Sequence, residues 1–341
     1  VSTTTVNPTS TTSDVVQESP VSRAVRAVGV QNLSLILAIA ALVLVIGSRN
    51  SSFYLASNLK TIGMAVTISG LLAVVQTVVI IMGGIDLTVG SVAGLASVSS
   101  AMIFTHAGST VSFVGALAIG AVCGLISGCI VVFGRVTPMI ATLAGLIAFK
   151  GVAQLVSDGR AQGYTGADPF YIFLARGSVL GIPTLIWVLA LVAALVHVML
   201  RYTRIGRNIY AVGGNDTAAR LSGIKINRYI LGVFILAGVV AALAGILITA
   251  RTGSGQPVSG SEGLEFQSIT AAALGGVALR GGKGSMSGTI LAVILLGILL
   301  NGMSLLGVNP FWQNVAQGSL LVAAVVIQQL RNGERRVGLP K

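Results

Sequence analysis

Residues Arg201 to Arg228, RYTRIGRNIYAVGGNDTAARLSGIKINR, form the longest polar interruption between two strongly apolar halves of the chain. The stretch holds six of the 21 basic residues, Arg201, Arg204, Arg207, Arg220, Lys225 and Arg228, and one acid, Asp216. Loops rich in Lys and Arg collect on the cytoplasmic side of membrane proteins, which places this one in the cytoplasm and orients everything else. Within it, Gly213-Gly214-Asn215-Asp216 reads as a turn. Asn215 or Asp216 can cap a short helix from about Thr217 to Leu221, through Ala218, Ala219 and Arg220, with Ser222 and Gly223 ending it. Such an element is a docking surface or, on the plainer reading, a solvated basic loop that only sets topology.

Composition agrees with a membrane setting. The chain has 341 residues, 54% hydrophobic and 9% charged, against about 25% charged in a soluble domain. The net charge of +12 does not point to nucleic acid, because the basic residues sit at the ends of apolar runs without interleaved aromatics. Cys123 and Cys129 lie in one apolar run and have no further cysteine to pair with, so neither a disulfide framework nor a zinc site is expected. His106 and His197 each stand alone, and no metal site is expected.

Working outward, residues 1–28 read as a disordered cytoplasmic tail, 29–331 as the membrane domain and 332–341 as a second cytoplasmic tail. Apolar runs fall at about 31–47, 61–82, 87–105, 111–133, 138–157, 183–200, 229–250, 264–279, 287–307 and 311–330, which predicts an all-α polytopic membrane protein of about ten transmembrane helices. With both termini inside, fifteen basic residues fall in cytoplasmic segments and five outside. Two breaks, Gly134-Arg135-Val136-Thr137-Pro138 and Gly307-Val308-Asn309-Pro310, share a Gly-stop and Pro-start pattern on opposite sides. That is the trace an inverted repeat would leave, although Gly and Pro punctuate most helix junctions.

The stretch from Asp158 to Pro183, with Tyr164, Phe170, Tyr171 and Phe173, is the longest on the outer side and reads as interfacial anchoring or a surface for a partner. No catalytic constellation is found, since the nine acids scatter among tails and loops. Gly281-Gly282-Lys283-Gly284-Ser285 fails the phosphate-loop pattern, having Val277 where the first glycine belongs. An enzyme is therefore not expected. Asp86, in Gly83-Gly84-Ile85-Asp86-Leu87-Thr88-Val89-Gly90-Ser91, can cap the third span or serve an inner gate. Lys150 lies within the fifth span as the one charge expected at mid-membrane, with Gln154 its nearest polar neighbour along the chain. Gln76, Ser97, Lys150 and Asn301 are the polar candidates for a solute pathway, each equally able to bond a neighbouring helix.

Gly83 to Ser91 resembles the signature of ribose-type permeases of bacterial ABC importers for simple sugars. Ala211-Val212-Gly213-Gly214-Asn215 with Ala218-Ala219-Arg220-Leu221-Ser222-Gly223-Ile224 is similar to that family's ATPase-docking segment. Ala273-Leu274-Gly275-Gly276-Val277, followed by Gly281-Gly282-Lys283-Gly284-Ser285, is a third match, and the resemblance covers the chain from about residue 30 to 330. Thr217-Ala218-Ala219 and Gly223 also fit the general importer motif Glu-Ala-Ala-x3-Gly, with Thr217 in place of the glutamate and without the later Ile-x-Leu-Pro. The resemblance implies a type II-like ABC importer permease in the bacterial inner membrane that moves a monosaccharide, ribose or a related sugar, by alternating access. It implies a second permease copy, a cytoplasmic ABC ATPase that binds ATP and Mg, and an extracytoplasmic sugar-binding protein. No cofactor is implied for this chain itself.

Two other readings remain open from the sequence. One is an ABC permease for another small polar solute, such as a furanosyl signal molecule or a nucleoside. The other is an ATP-independent facilitator, for which the 201–228 loop would have no coupling role.

Overall fold

The computed structural model describes residues 29–163 and 165–331. The two expected tails, 1–28 and 332–341, and Tyr164 lie outside them. Twelve α-helices occupy the described residues: α1 (Val30–Arg49), α2 (Ala56–Ile81), α3 (Thr88–Val132), α4 (Pro138–Ser157), α5 (Pro169–Arg176), α6 (Thr184–Tyr202), α7 (Arg204–Gly214), α8 (Asp216–Leu221), α9 (Ile226–Thr252), α10 (Leu264–Leu274), α11 (Met286–Leu305) and α12 (Pro310–Arg331). A two-residue hairpin, β1 (Ser178–Val179) and β2 (Ile182–Pro183), precedes α6. Eight of these helices are long and apolar enough to cross a membrane.

α2 is apolar on every face, as a helix enclosed by others must be. Leu71, Leu72, Ala73, Val74, Val79, Ile80 and Ile81 are all fully buried. α9 is the second central helix, with Phe234, Ala237, Ala241, Ile246 and Leu247 equally enclosed, whereas α1 and α12 lie at the periphery with large apolar faces open.

The 45 residues of α3 would reach about 68 Å if straight, more than twice the hydrocarbon thickness. They fold back at Gly108, whose φ of 78° and ψ of 175° belong to a region that essentially only glycine enters. Across the turn the Ser112 hydroxyl donates to the Ser100 carbonyl, and Ile103 lies against Gly115. The two expected spans at 87–105 and 111–133 are thus the arms of one hairpin. α9 packs on both arms through small residues, Gly238 against the Gly120 carbonyl and Gly245 against the Ala93 carbonyl, as close helix approach in lipid requires.

The expected span at 264–279 is corrected. α10 has 11 residues, about 16 Å, too short to cross. Residues 253–263, rich in Gly, Ser and Pro, enter from the end of α9 without helical structure. Gln162 and Gly255 exchange backbone hydrogen bonds at 3.0 and 2.8 Å. The segment then runs down the first arm of α3: Gly255 lies beside Val98, Pro257 beside Gly94 and Glu265 beside Gly90. Extended segment and half-helix together make a tenth, broken crossing, joining the nine continuous ones. Non-helical backbone at this depth is tolerated only where protein or water surrounds it.

All connections bearing the three glycine motifs collect at one end of the bundle, the loop face. Both described ends of the chain lie there too. Gln31 Nε2 donates to the Leu274 carbonyl at 3.1 Å, and Gln328 Nε2 to the Val277 carbonyl.

At the far face, Asp168 caps α5 by accepting from the N–H groups of Phe170 and Tyr171. Tyr171 is buried, its hydroxyl 2.6 Å from that of Ser112, and it stacks edge-on to Phe104 and Phe170. These two aromatics therefore clamp the α3 hairpin rather than float at an interface. Phe173 stays half exposed.

Candidate functional site

The polar stretch at 201–228 is more ordered than a loop. Gly213 and Gly214 close the last turn of α7, whose Gly206, Ile209 and Val212 are buried, an i, i+3, i+6 face among basic residues. The expected turn begins two residues later, at Asn215. Asn215 takes extended backbone and its Oδ1 accepts from Ala218 N–H at 2.9 Å, capping α8. Asp216 Oδ1 accepts from Thr217 N–H at 2.7 Å, and the Ser222 hydroxyl donates to the Ala218 carbonyl. Gly223, at φ 81°, closes the helix: its N–H donates to Arg220 and that of Ile224 to Ala219, at 3.0 and 3.1 Å. This is the two-bond pattern of a glycine-terminated helix. Ala219 is buried and Leu221 is 86% exposed, so α8 stands on one apolar foot and offers the opposite side, with Arg220, to whatever lies below.

The α7–α8 corner rests on the other two motifs. Gly282 N–H donates to the Ile81 carbonyl at 2.8 Å. Gly213 lies so close that a Cβ on it would stand 1.8 Å from the same Ile81 oxygen, and a Cβ on Gly281 would stand 2.8 Å from the Gly213 carbonyl and 2.9 Å from Gly83 Cα. Three glycine segments far apart in sequence therefore meet backbone to backbone. Tyr210 adds a strut, its hydroxyl donating to the Gly284 carbonyl at 2.8 Å. Burial pushes its phenol up from the usual value, which keeps it a proton donor. A groove of about 390 Å³ runs along the junction past Gly83, Gly84, Pro138, Gly214, Asp216 and Arg280.

Just above the junction, Asp86 is buried and its Oδ1 accepts from the N–H and hydroxyl of Thr88 at 2.8 and 2.6 Å. It thereby serves the first turn of α3, where a carboxylate also meets the helix dipole favourably. Gln76 is fully buried and, with its amide oriented to satisfy both groups, donates to the Asp86 carbonyl at 3.0 Å and accepts from Asp86 N–H at 3.2 Å. The Ser91 hydroxyl donates to the Thr88 carbonyl. Ser97 Oγ accepts from Gln256 N–H at 3.0 Å and lies 2.8 Å from the Thr249 hydroxyl, tying the extended segment and α9 to α3. Asn301 and Asn58 exchange amide hydrogen bonds at 2.9 and 3.2 Å between α11 and α2.

Lys150 has a partner from the broken crossing. Its Nζ lies 2.7 Å from Glu262 Oε1, and Gln154 is not that partner. Glu262 and Glu265 also correct the expectation that acids are confined to tails and loops. Both line a cavity of about 290 Å³ with Gly90, Ser91, Lys150 and Val258, alongside the interior of α4, a helix long and apolar enough to span a membrane. What sequence reading missed was signalled by the Gly, Ser and Pro residues of 253–263, which interrupt an apolar pair as a broken transporter helix does. Among the described residues, no group of three His, Cys, Asp or Glu side chains is placed to hold a metal.

The family model described as branched-chain amino acid transport system / permease component matches residues 58–325. The ribose import permease protein RbsC of Escherichia coli strain K12 is 37% identical over 295 residues, covering 86% of this chain and 92% of its own. The L-arabinose transport system permease protein AraH of the same strain is 33% identical over 287 residues, 82% and 84% of the two chains. The D-allose transport system permease protein AlsC is 33% identical over 295 residues, 86% and 90%. No solved structure matches the chain.

Proposed function

Because this chain belongs to the family of branched-chain amino acid transport system permease components, we propose that it is the membrane-spanning subunit of an ABC importer that brings a monosaccharide into the cytoplasm. Its relatives carry ribose, arabinose and allose in their names, and a neutral sugar is the solute class proposed here. The loop face lies in the cytoplasm, with both termini there, in line with the bias of fifteen basic residues against five. ATP and Mg bind a partner ATPase, a second permease copy completes the path, and an extracytoplasmic binding protein delivers the sugar. The chain is a transport subunit rather than an enzyme.

The observation that carries the coupling mechanism is the glycine junction. A displacement of α8 by the ATPase is passed through Gly213 to Ile81 at the end of α2, and through Gly281 and Gly282 to the start of α11, without flexible side chains between them. Packed backbone of this kind switches between discrete arrangements rather than bending gradually. Alternating access follows if ATP binding and hydrolysis favour different arrangements.

The test is uptake into proteoliposomes holding the chain with the ATPase and binding protein that co-purify with it. ATP-dependent accumulation of a labelled pentose or hexose, not competed by leucine, is expected. Uptake of leucine instead would replace the sugar with an amino acid as the family description has it, and sugar flux without ATP would make the chain a facilitator.

A further inference from the structure

Resting on the importer reading above, we propose that Lys150, Glu262 and Glu265 form a charge-selective seat on the solute path, which accepts hydrogen bonds from a neutral polyol and turns away anions such as sugar phosphates and sugar acids.

Three observations converge on it. First, the ion pair is open on one side: the Lys150 and Glu262 side chains are 36% and 66% exposed, at a depth where charge against lipid is costly. Their open side therefore faces water or protein. Second, they sit at the break of the discontinuous crossing, where Gly263, at φ 81°, ends the extended segment and α10 begins. Third, Glu265 is buried and still lines the same cavity of about 290 Å³, near the lower bound of small-molecule sites, about 300 Å³.

The chemistry suits hydroxyls. Carboxylate oxygens accept strongly from O–H donors, and the Glu262 oxygen not held by Lys150 is left for a solute. With Glu265 ionised, two carboxylates against one ammonium leave the seat with a formal charge of −1. An anion would meet net repulsion in a medium of reduced dielectric, and mismatched charge is an effective way to reject a wrong solute. A neutral sugar, moved on quickly, needs no tighter grip than this.

A purely structural role for the pair, holding 253–263 against α4, predicts a closed, dry contact. The discriminating experiment labels Val258→Cys, placed at the cavity wall, in the assembled transporter with both native cysteines replaced by serine. Membrane-impermeant methanethiosulfonates, one cationic and one anionic, are the probes. We expect labelling by both, faster by roughly tenfold for the cationic reagent, the scale of one charge-assisted contact. D-ribose should slow it, and Glu265→Gln, which leaves the Lys150–Glu262 pair in place, should shrink the difference between reagents. No labelling, while a control cysteine at the exposed Leu180 of the far-face hairpin (Leu180→Cys) reacts, overturns the proposal, as do equal rates for the two reagents. The importer reading fails separately, if wild-type proteoliposomes accumulate no monosaccharide while the labelling pattern holds.

Discussion

The backbone N–H of Gly282 donates to the Ile81 carbonyl at 2.8 Å, so the loop before α11 satisfies one of the orphan acceptors at the end of α2. Gly213 abuts the same oxygen. The central helix, the docking corner and the start of α11 thus share a single peptide group.

Gly213→Ala should disrupt the chain where Gly214→Ala does not. The added methyl meets the Ile81 oxygen at 1.8 Å in the first, and nothing within 4 Å in the second. Overpacking against backbone costs about 1–3 kcal/mol or more. Size-exclusion profiles in detergent after a heating series would show the difference, and equal profiles would remove the junction's claim to close packing.

Leu221→Glu places a charge on the exposed side of α8 without touching its buried foot, Ala219. ATP-driven uptake is expected to fall at least about tenfold with normal membrane yield. Ala219→Leu, and a bulky residue at Gly223, should also uncouple uptake, though with some loss of yield because Ala219 is buried and Gly223 has φ 81°. Normal uptake by all three would leave α8 a mere topological loop.

Gly108→Ala isolates backbone strain, because the new methyl has open space around it while φ 78° and ψ 175° disfavour any side chain. A destabilisation of about 1–3 kcal/mol is expected, read as a lower midpoint of thermal aggregation. An unchanged midpoint would mean that the turn reshapes freely.

Gln76→Leu removes both hydrogen bonds to the Asp86 backbone inside the core. Leaving a buried N–H and C=O unpaired costs about 1–3 kcal/mol for each group. Reduced yield and a lowered thermal midpoint should follow, and Gln76→Glu should recover less than the amide because it lacks the NH₂ donor. If uptake fell with stability intact, Gln76 would belong to the path instead.

The hydrophobic runs and glycine punctuation determined the all-α membrane class, nine of the ten crossings to within a few residues, and the capped helix Asp216–Leu221. Those features are local, set by helix length, capping chemistry and the cost of exposing charge. The α7 helix was harder to see because its apolar face is only Gly206, Ile209 and Val212 among arginines. Tertiary structure alone decided three things. It brought Gly83, Gly213 and Gly281 together, since backbone contact between distant segments leaves no periodic signal. It gave Gln76, Ser97 and Asn301 their partners, which lie on other helices or on the connections between them. And it lowered Glu262 and Glu265 to the level of Lys150, because an extended segment spans more depth per residue than a helix and only the surrounding helices could supply the enclosure that such a segment needs.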